Sequence, residues 1–229
     1  MAGRSRLAAV YVTLVETWLA PMGLERFGRE YVHHAALALP GTADSARELL
    51  DWNVLHAVLV SEPPPDVLVV ARGELVPVPP PRTARELGLY LRHGIGLCVR
   101  HAQRHHPQLA RIAKDVEATF PGSTSQVQLF VTPRSTYGFS WHFDDEDVFI
   151  AQTVGKKDYM FRENSVAAGE QARPEVFRRF STESTAICAA RLHAGDFLYI
   201  PSRWWHMAEC IEDSLSISVG VAGLALHAT

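Results

Sequence analysis

Two residues with metal-binding side chains stand two positions apart in the segment Ser-Trp-His-Phe-Asp, which ends at Asp144. In a β-strand, residues i and i+2 point to the same face. His142 and Asp144 are therefore predicted to present an imidazole and a carboxylate side by side. A His-x-Asp pair also arises by chance. Taken alone, this pair is explained more simply by a histidine with a local hydrogen bond.

A third candidate ligand, His206, lies far along the chain. The sequence from Gly195 to His206 predicts a turn, a strand, a bend and then a histidine among large aromatic residues. Two histidines and one carboxylate form a facial triad, which leaves three coordination positions open and suits non-haem Fe(II). Structural zinc sites fill all four positions, mostly with cysteines. The residues therefore favour His142, Asp144 and His206 as the metal ligands and catalytic centre.

A lysine follows the metal pair at a short distance in the sequence. Lys157 comes just after Gly155 and the apolar stretch Val148–Val154, and it stands beside Lys156. A keto acid cosubstrate such as 2-oxoglutarate would chelate iron through its keto acid end, and its other carboxylate would need a buried cation to offset the cost of desolvation. A lone lysine is usually a solvated surface residue. The position behind an apolar strand favours Lys157 as the cosubstrate-binding residue.

These segments together resemble the JmjC-type cupin oxygenases, especially the ribosomal-protein hydroxylases. The stretch His142–Lys157 is similar to the family's HxD strand, FxxQ core and basic cosubstrate residue. The segments Gly195–Pro201 and Trp204–His206 resemble the region that carries the third ligand. The segment Leu24–Tyr31 resembles the helix that opens such domains. The resemblance covers most of the chain, without the C-terminal winged-helix domain of the ribosomal-protein hydroxylases.

The resemblance implies an Fe(II)- and 2-oxoglutarate-dependent dioxygenase that uses O2, with His142, Asp144 and His206 on the iron. It also implies that Lys157, rather than its neighbour Lys156, binds the distal carboxylate of 2-oxoglutarate. Small polar residues are expected around the cosubstrate, and the sequence does not fix which of them face it. The candidates are Gln128, Ser140, Ser216 and Ser218.

The implied substrate is an amino-acid side chain in a protein or peptide, which the enzyme would hydroxylate. A small-molecule tailoring hydroxylase is an alternative, because a compact chain also suits a free metabolite. A non-oxidising metal-binding cupin is an alternative of another class. Such cupins more often carry three or more histidines with a glutamate, so the His142-x-Asp144 pair and Lys157 argue against it.

A series of short strands must position these residues. In the segment Gln126–Thr132, polar and apolar residues alternate with a period of two, which is typical of a half-buried strand. Many short strands separated by turn residues predict a sandwich or barrel. The predicted fold is mainly β, a double-stranded β-helix (jelly roll, cupin-like) with N-terminal helices packed outside. Further strands are predicted at 147–154, 158–161, 186–192, 196–200 and 215–221.

The chain before residue 123 is predicted to be mostly helical, with a few flanking strands. Ser45–Glu48 and Thr83–Glu86 both fit the capping-box pattern that opens helices. Pro107 is a suitable first residue for another helix, and Val67–Val70 reads as a strand. We expect residues 1–122 to be the helical and flanking part of the same fold, and residues 123–229 to be its JmjC/cupin core.

Composition limits the remaining function classes. The chain has 229 residues, of which 47% are hydrophobic and 21% charged, and a net charge of -3. This balance does not suggest a nucleic-acid or membrane-surface binder. The three cysteines are far apart and odd in number, so a disulfide framework is not expected and a reducing cytoplasm is the simplest location. Trp141, Trp204 and Trp205 are expected either to line the site or to belong to the core, and the oligomeric state is left open.

Overall fold

Strands provide the framework of the part of the chain that the structure describes. The computed structural model describes residues 11–165 and 178–225. The strands in this part are β1 (Leu37–Leu39), β2 (Asp66–Ala71), β3 (Glu74–Leu75), β4 (Ile95–Arg100), β5 (Thr124–Thr132), β6 (Asp147–Val154), β7 (Lys157–Arg162), β8 (Cys188–Leu192), β9 (Phe197–Ile200), β10 (Trp205–Cys210) and β11 (Ser214–Ala222).

These strands form two antiparallel sheets. The major sheet has eight strands in the order β1-β9-β6-β11-β5-β4-β2-β3, and the minor sheet has three in the order β10-β7-β8. Strand β11 lies in the middle of the major sheet, where it pairs with β5 from Ser214 to Ala222 and with β6 on its other side. The predicted fold class, a mainly β double-stranded β-helix with packed helices, is confirmed.

The helices lie mostly before the strands of the core. They are α1 (Leu14–Trp18), α2 (Leu24–Glu30), α3 (Trp52–Leu59), α4 (Ala84–Arg92) and α5 (Pro107–Thr119), with short 3-10 helices at Asp44–Glu48, Ala102–Arg104 and Arg178–Thr182. Within the ranges described, no helix is long and apolar enough to cross a lipid bilayer.

Two of the three predicted helix starts are confirmed, and one is wrong. Thr83 caps α4 through a capping box with Glu86, and Pro107 is the first residue of α5. The segment that contains Ser45 forms a 3-10 helix instead. The α-helix nearby starts later because Asp51, with extended backbone, accepts hydrogen bonds from the N–H groups of Asn53 and Val54.

Successive residues of β5 and β11 point alternately to the two sides of the major sheet. Val127, Leu129 and Val131 of β5 are buried in the large apolar core between this sheet and the helices. Ile217 and Val219 of β11 join them. The residues between these positions face the other way, towards the minor sheet. Strands β2 and β4 belong to the same sheet as β5, although the division at residue 122 stays a prediction.

The segment that carries the His-x-Asp pair is not a regular strand, contrary to the prediction. Between β5 and β6 the chain makes only isolated bridges, which join Tyr137 to Glu209 and His142 to His206. Asp144 and Asp145 lie in the loop just before β6. The pair is therefore positioned by contacts with β10. The two side chains lie together as predicted, but not because the segment is a regular strand.

Candidate active site

The backbone bridge between His142 and His206 brings the two imidazoles together. The N–H of His142 donates to the carbonyl of His206 at 3.1 Å, and the N–H of His206 donates to the carbonyl of His142 at 2.8 Å. The ring centroids are 4.2 Å apart. Residues paired across antiparallel strands point to the same face. The bridge therefore sets both rings on one wall of the site.

Each of these histidines has one ring nitrogen engaged by a backbone carbonyl. Nδ1 of His142 lies 2.7 Å from the carbonyl oxygen of Ser140, and Nδ1 of His206 lies 3.0 Å from that of Trp204. A carbonyl only accepts, so each Nδ1 carries the hydrogen. This leaves the Nε2 lone pair of both rings free to bind a metal, which is the usual arrangement at metal sites.

Asp144 completes a cluster of three potential ligands. Its Oδ2 lies 3.5 Å from Nε2 of His206, and one ligand atom from each of the three residues lies within 4.8 Å of the others. The Asp144 carbonyl accepts a 2.6 Å hydrogen bond from the N–H of Arg203, whose φ of 62° is unusual for a residue with a side chain. This contact fixes the loop next to the carboxylate.

Burial keeps His206 neutral. Desolvation, with a further effect of His142, lowers the pKa of His206 to about 4. A metal ligand must be a neutral imidazole, because a proton and a metal ion compete for the same lone pair. Two imidazoles and one carboxylate fit a divalent ion such as Fe(II).

A pocket opens in front of the triad, between the two sheets. Its volume is about 620 Å³, part of which is open to solvent. Apolar side chains from both sheets form much of its wall. Such a mostly apolar cleft with a few convergent polar groups is the usual form of a small-molecule or cofactor site. The main apolar wall residues are Phe130, Val148, Ile150 and Met207.

Lys157 also lines this pocket. It is only 3% exposed, and its Nζ lies 3.2 Å from the hydroxyl oxygen of Thr132 and over the rings of Phe130 and Tyr159. Among the residues that the structure describes, no carboxylate pairs with it. A buried ammonium without an anion is costly. The arrangement therefore fits an anionic ligand. Lys156 points away and pairs with Glu212 at 3.0 Å.

The four predicted polar candidates differ in position. Gln128 and Ser218 line the pocket. Ser216 is fully buried, and its hydroxyl has no hydrogen-bond partner within the described ranges. Ser140 is exposed and lies beside Gly73, away from the pocket wall.

Sequence reasoning missed several residues that line the pocket or contact Lys157. Thr132 lies on the same face of β5 as Gln128, so the period-two pattern could have identified it. Tyr159 lies two residues after Lys157 on β7, and the same rule applies. Glu146 also lines the pocket. It follows an irregular loop, where no periodic pattern predicts the direction of a side chain.

The tryptophans belong to the core rather than to the pocket wall. Trp205 is fully buried, packs edge-to-face on Phe143 at 4.9 Å and donates to Glu183 through its indole N–H. Trp141 stacks on Phe180 at 4.3 Å. The contacts of Trp141 and Trp205 therefore support packing in the core rather than lining of the site.

Comparison with known proteins places the fold in a family. The profile of the JmjC domain matches residues 99–227, more than half of the chain. This chain belongs to the JmjC domain family. The match begins in β4 and continues past β11, so it includes the strands and loops that carry the triad and Lys157 of this JmjC protein.

Curated relatives of this JmjC chain include ribosomal oxygenases. Ribosomal oxygenase 1 of Gallus gallus is 31% identical over 108 residues, which cover 44% of this chain and 17% of the relative. Ribosomal oxygenase 2 of Mus musculus is 32% identical over 107 residues, 47% of this chain and 22% of the relative. A bifunctional lysine-specific demethylase and histidyl-hydroxylase, NO66 of Dictyostelium discoideum, is 32% identical over 97 residues, 41% of this chain and 18% of the relative.

Solved structures share the JmjC fold over most of this chain. The ribosomal oxygenase YcfD of Escherichia coli, in complex with cobalt and 2-oxoglutarate, has a TM-score of 0.67 at 18% identity, covering 87% of this chain and 51% of its own. A second structure of the same protein has a TM-score of 0.67 at 19% identity, with 88% and 53% covered. The chain thus spans about half the length of these structures and about a fifth of the curated relatives.

Proposed function

We propose that this chain is an Fe(II)- and 2-oxoglutarate-dependent dioxygenase that hydroxylates an amino-acid side chain in a protein or peptide. The observation that carries the proposal is the convergence of His142, Asp144, His206 and the buried Lys157 on one pocket. A metal-ligand triad alone fits many reactions. A triad with a buried cation that lacks an anion among the described residues fits a metal enzyme with an anionic cosubstrate.

The three ligands have separate tasks. His142 and His206 bind Fe(II) through Nε2, and their Nδ1–H groups, held by backbone carbonyls, keep both rings in orientation. Asp144 supplies the negative charge of the set. Together the three residues would hold Fe(II) and leave coordination positions for the cosubstrate and O2. When bound there, iron supplies the O2 activation that couples decarboxylation of 2-oxoglutarate, to succinate and CO2, with hydroxylation of a C–H bond.

Lys157 binds and orients the cosubstrate. Its ammonium pairs with the distal carboxylate of 2-oxoglutarate, while Thr132, which already contacts Nζ at 3.2 Å, holds the lysine in position. The rings of Phe130 and Tyr159 pack around the same ammonium. These apolar faces exclude water from the ion pair and thereby strengthen it.

The substrate class is proposed from two supports. The pocket is partly open to solvent, so a side chain can enter while its peptide stays outside. Relatives named ribosomal oxygenase or histidyl-hydroxylase carry names of enzymes that act on proteins. A free metabolite is the alternative substrate class. An activity screen of peptides and of metabolites distinguishes the two.

The proposal is tested by succinate formation from 2-oxoglutarate with Fe(II) and ascorbate. The wild type is expected to turn over slowly without substrate, and His142→Ala is expected to be at least about 100-fold slower because a metal ligand is lost. His93→Ala, which removes an exposed histidine at the end of α4, is the control and should equal the wild type. An iron-loaded wild type that neither consumes nor binds 2-oxoglutarate would overturn the proposal in favour of a non-oxidising cupin.

A further inference from the structure

The two proposed histidine ligands have large aromatic neighbours that pack behind them. Trp141 and Phe143 flank His142 in the sequence, and Trp205 directly precedes His206. Trp205 and His206 are successive residues of β10, so their side chains point to opposite faces of the strand. Trp205 packs edge-to-face on Phe143 at 4.9 Å. An aromatic group therefore lies on the side of the two histidines that faces away from the pocket.

A separate segment, residues 178–185, packs against this aromatic group. Its Phe180 stacks on Trp141, with ring centroids 4.3 Å apart and planes inclined by 19°. The same ring meets Trp205 in a T-shaped contact at 5.6 Å. Both arrangements are favoured geometries for aromatic pairs. Phe180 thus contacts an immediate neighbour of each histidine ligand.

Glu183 of the same segment holds Trp205 through a single oxygen atom. Its Oε1 accepts hydrogen bonds from the indole N–H of Trp205 at 2.9 Å and from the backbone N–H of Ser165 at 3.0 Å. Hydrogen bonds to a carboxylate are stronger than those between neutral groups. Trp205 is fully buried, so its indole N–H needs such an acceptor, and the acceptor comes from a segment that belongs to neither sheet.

Arg162 of β7 holds the segment in place. Its guanidinium donates to the hydroxyl and to the carbonyl oxygen of Thr185, and it lies 5.5 Å from the ring centroid of Phe180. Arg162 is also the residue of β7 that pairs with Trp205 of β10. These contacts keep Phe180 and Glu183 next to Trp205.

Trp205 connects these contacts to the metal site because it stands between the two groups that orient His206. The carbonyl oxygen of Trp204, on one side, lies 3.0 Å from Nδ1 of His206. The backbone of His206, on the other side, makes two hydrogen bonds with that of His142. A shift of Trp205 would displace both groups. Contacts that orient a ligand in this way strengthen metal binding.

We propose that Glu183 is a positioning residue for the metal centre, which acts through Trp205 and holds His206 in the orientation that binds the metal. The inference rests on the proposed function, since it takes His206 as a ligand, and extends it to a segment behind the pocket. Coupling of this kind is reciprocal. Metal binding therefore stabilises residues 178–185 to the same extent as their contacts strengthen metal binding.

The test measures Mn(II) affinity without O2, from the electron paramagnetic resonance signal of the free ion. Glu183→Ala is expected to bind Mn(II) about tenfold more weakly than the wild type, because a contact that supports a ligand is lost. Glu183→Gln should stay within about threefold of the wild type, since its amide oxygen accepts the same two hydrogen bonds. A contact that only stabilised the fold would lower the free energy of unfolding and leave the Mn(II) affinity of the folded protein unchanged.

The matched control is Glu163→Ala, which removes an exposed carboxylate just after β7 and retains the backbone carbonyl that accepts from Thr185. It should keep the affinity of the wild type. A second measurement needs no variant and decides the matter if Glu183→Ala does not fold. In the wild type, amide hydrogen exchange of residues 178–185 should be slower with Mn(II) than without it.

Four results would each overturn the inference. They are an unchanged Mn(II) affinity in Glu183→Ala, an equal loss in Glu163→Ala, no recovery in Glu183→Gln, and hydrogen exchange of residues 178–185 that does not respond to Mn(II). In all four cases the wild type still binds Mn(II), and the proposed function stands. A wild type that binds no Mn(II) would overturn both, so the two failures are distinguishable.

Discussion

The two histidines of the candidate metal centre share one local arrangement. In each, Nδ1 faces the carbonyl of the residue two positions earlier, at 2.7 Å for His142 and 3.0 Å for His206. The backbone thus selects the tautomer of both rings without using another side chain. A ligand whose outer nitrogen is held in this way is oriented before the metal arrives, which lowers the cost of binding.

The substitution Lys157→Ala tests the proposed role of this lysine in binding the cosubstrate. Removal of a buried cation from an ion pair costs about 1.5–3 kcal/mol, so the 2-oxoglutarate concentration needed for half-maximal turnover should rise about 10- to 100-fold. Lys156→Ala removes the adjacent charge, which is exposed and paired with Glu212, and should change it little. Similar effects of both substitutions on this concentration would contradict the assignment.

The sequence predicted more of the site chemistry than of its surroundings. His142, Asp144 and His206 were proposed as ligands because their types and spacing match a known ligand set, and Lys157 was proposed as the cosubstrate-binding residue because it follows an apolar strand. Glu146 could not be identified in the same way. Its direction depends on a loop without periodicity and on the missing side chain of Gly220, a contact between positions far apart in the sequence.

Among the elements, strands were predicted better than helix ends. Strand β5 has a clear alternation and was predicted. Four strands were missed: β1 and β3 have only three and two residues, and β4 and β10 do not alternate between polar and apolar residues. The predicted helix start at Ser45 failed for a physical reason. A capping box needs an extended residue at the cap, and Ser45 lies instead within a 3-10 helix, whereas Asp51 has the extended backbone of an N-cap residue.

Asp51→Ala tests this correction. Loss of the cap should lower the free energy of unfolding by about 1 kcal/mol, measured by urea denaturation at neutral pH, whereas Ser45→Ala should leave it nearly unchanged. Hydrogen bonds from Val54 and Asn53 lower the pKa of Asp51. The contribution is therefore present above the usual range of an aspartate and is lost as the pH falls below it. An equal or larger effect of Ser45→Ala would contradict the correction.

For the whole molecule, the major sheet joins both parts of the chain. Strands β2, β3 and β4 come from residues before 123, yet they extend the sheet that contains β5 and β11. Helix α5 adds Leu109, Ile112 and Val116 to the same apolar core. This continuity supports the proposal that residues 1–122 and 123–229 form one fold. The cytoplasmic location stays a prediction.

One shared core leads to a prediction about unfolding. Because neither part can bury its apolar face alone, far-ultraviolet circular dichroism and tryptophan fluorescence should report one coincident transition in urea. A fragment of residues 123–229 should fail to fold, since it lacks the helices that cover β5 and β11. Two separate transitions, or a folded fragment, would show instead that the parts are independent domains.

The most direct test of the central claim is a calorimetric titration of 2-oxoglutarate into the protein with and without Mn(II), without O2. We expect one molecule to bind per chain only when the metal is present. Asp144→Ala should lose this binding, whereas Asp145→Ala, which removes an exposed carboxylate paired with Arg203, should bind within about fivefold of the wild type. Binding that is independent of the metal, or unchanged in Asp144→Ala, would contradict the assignment of these three residues as the metal centre.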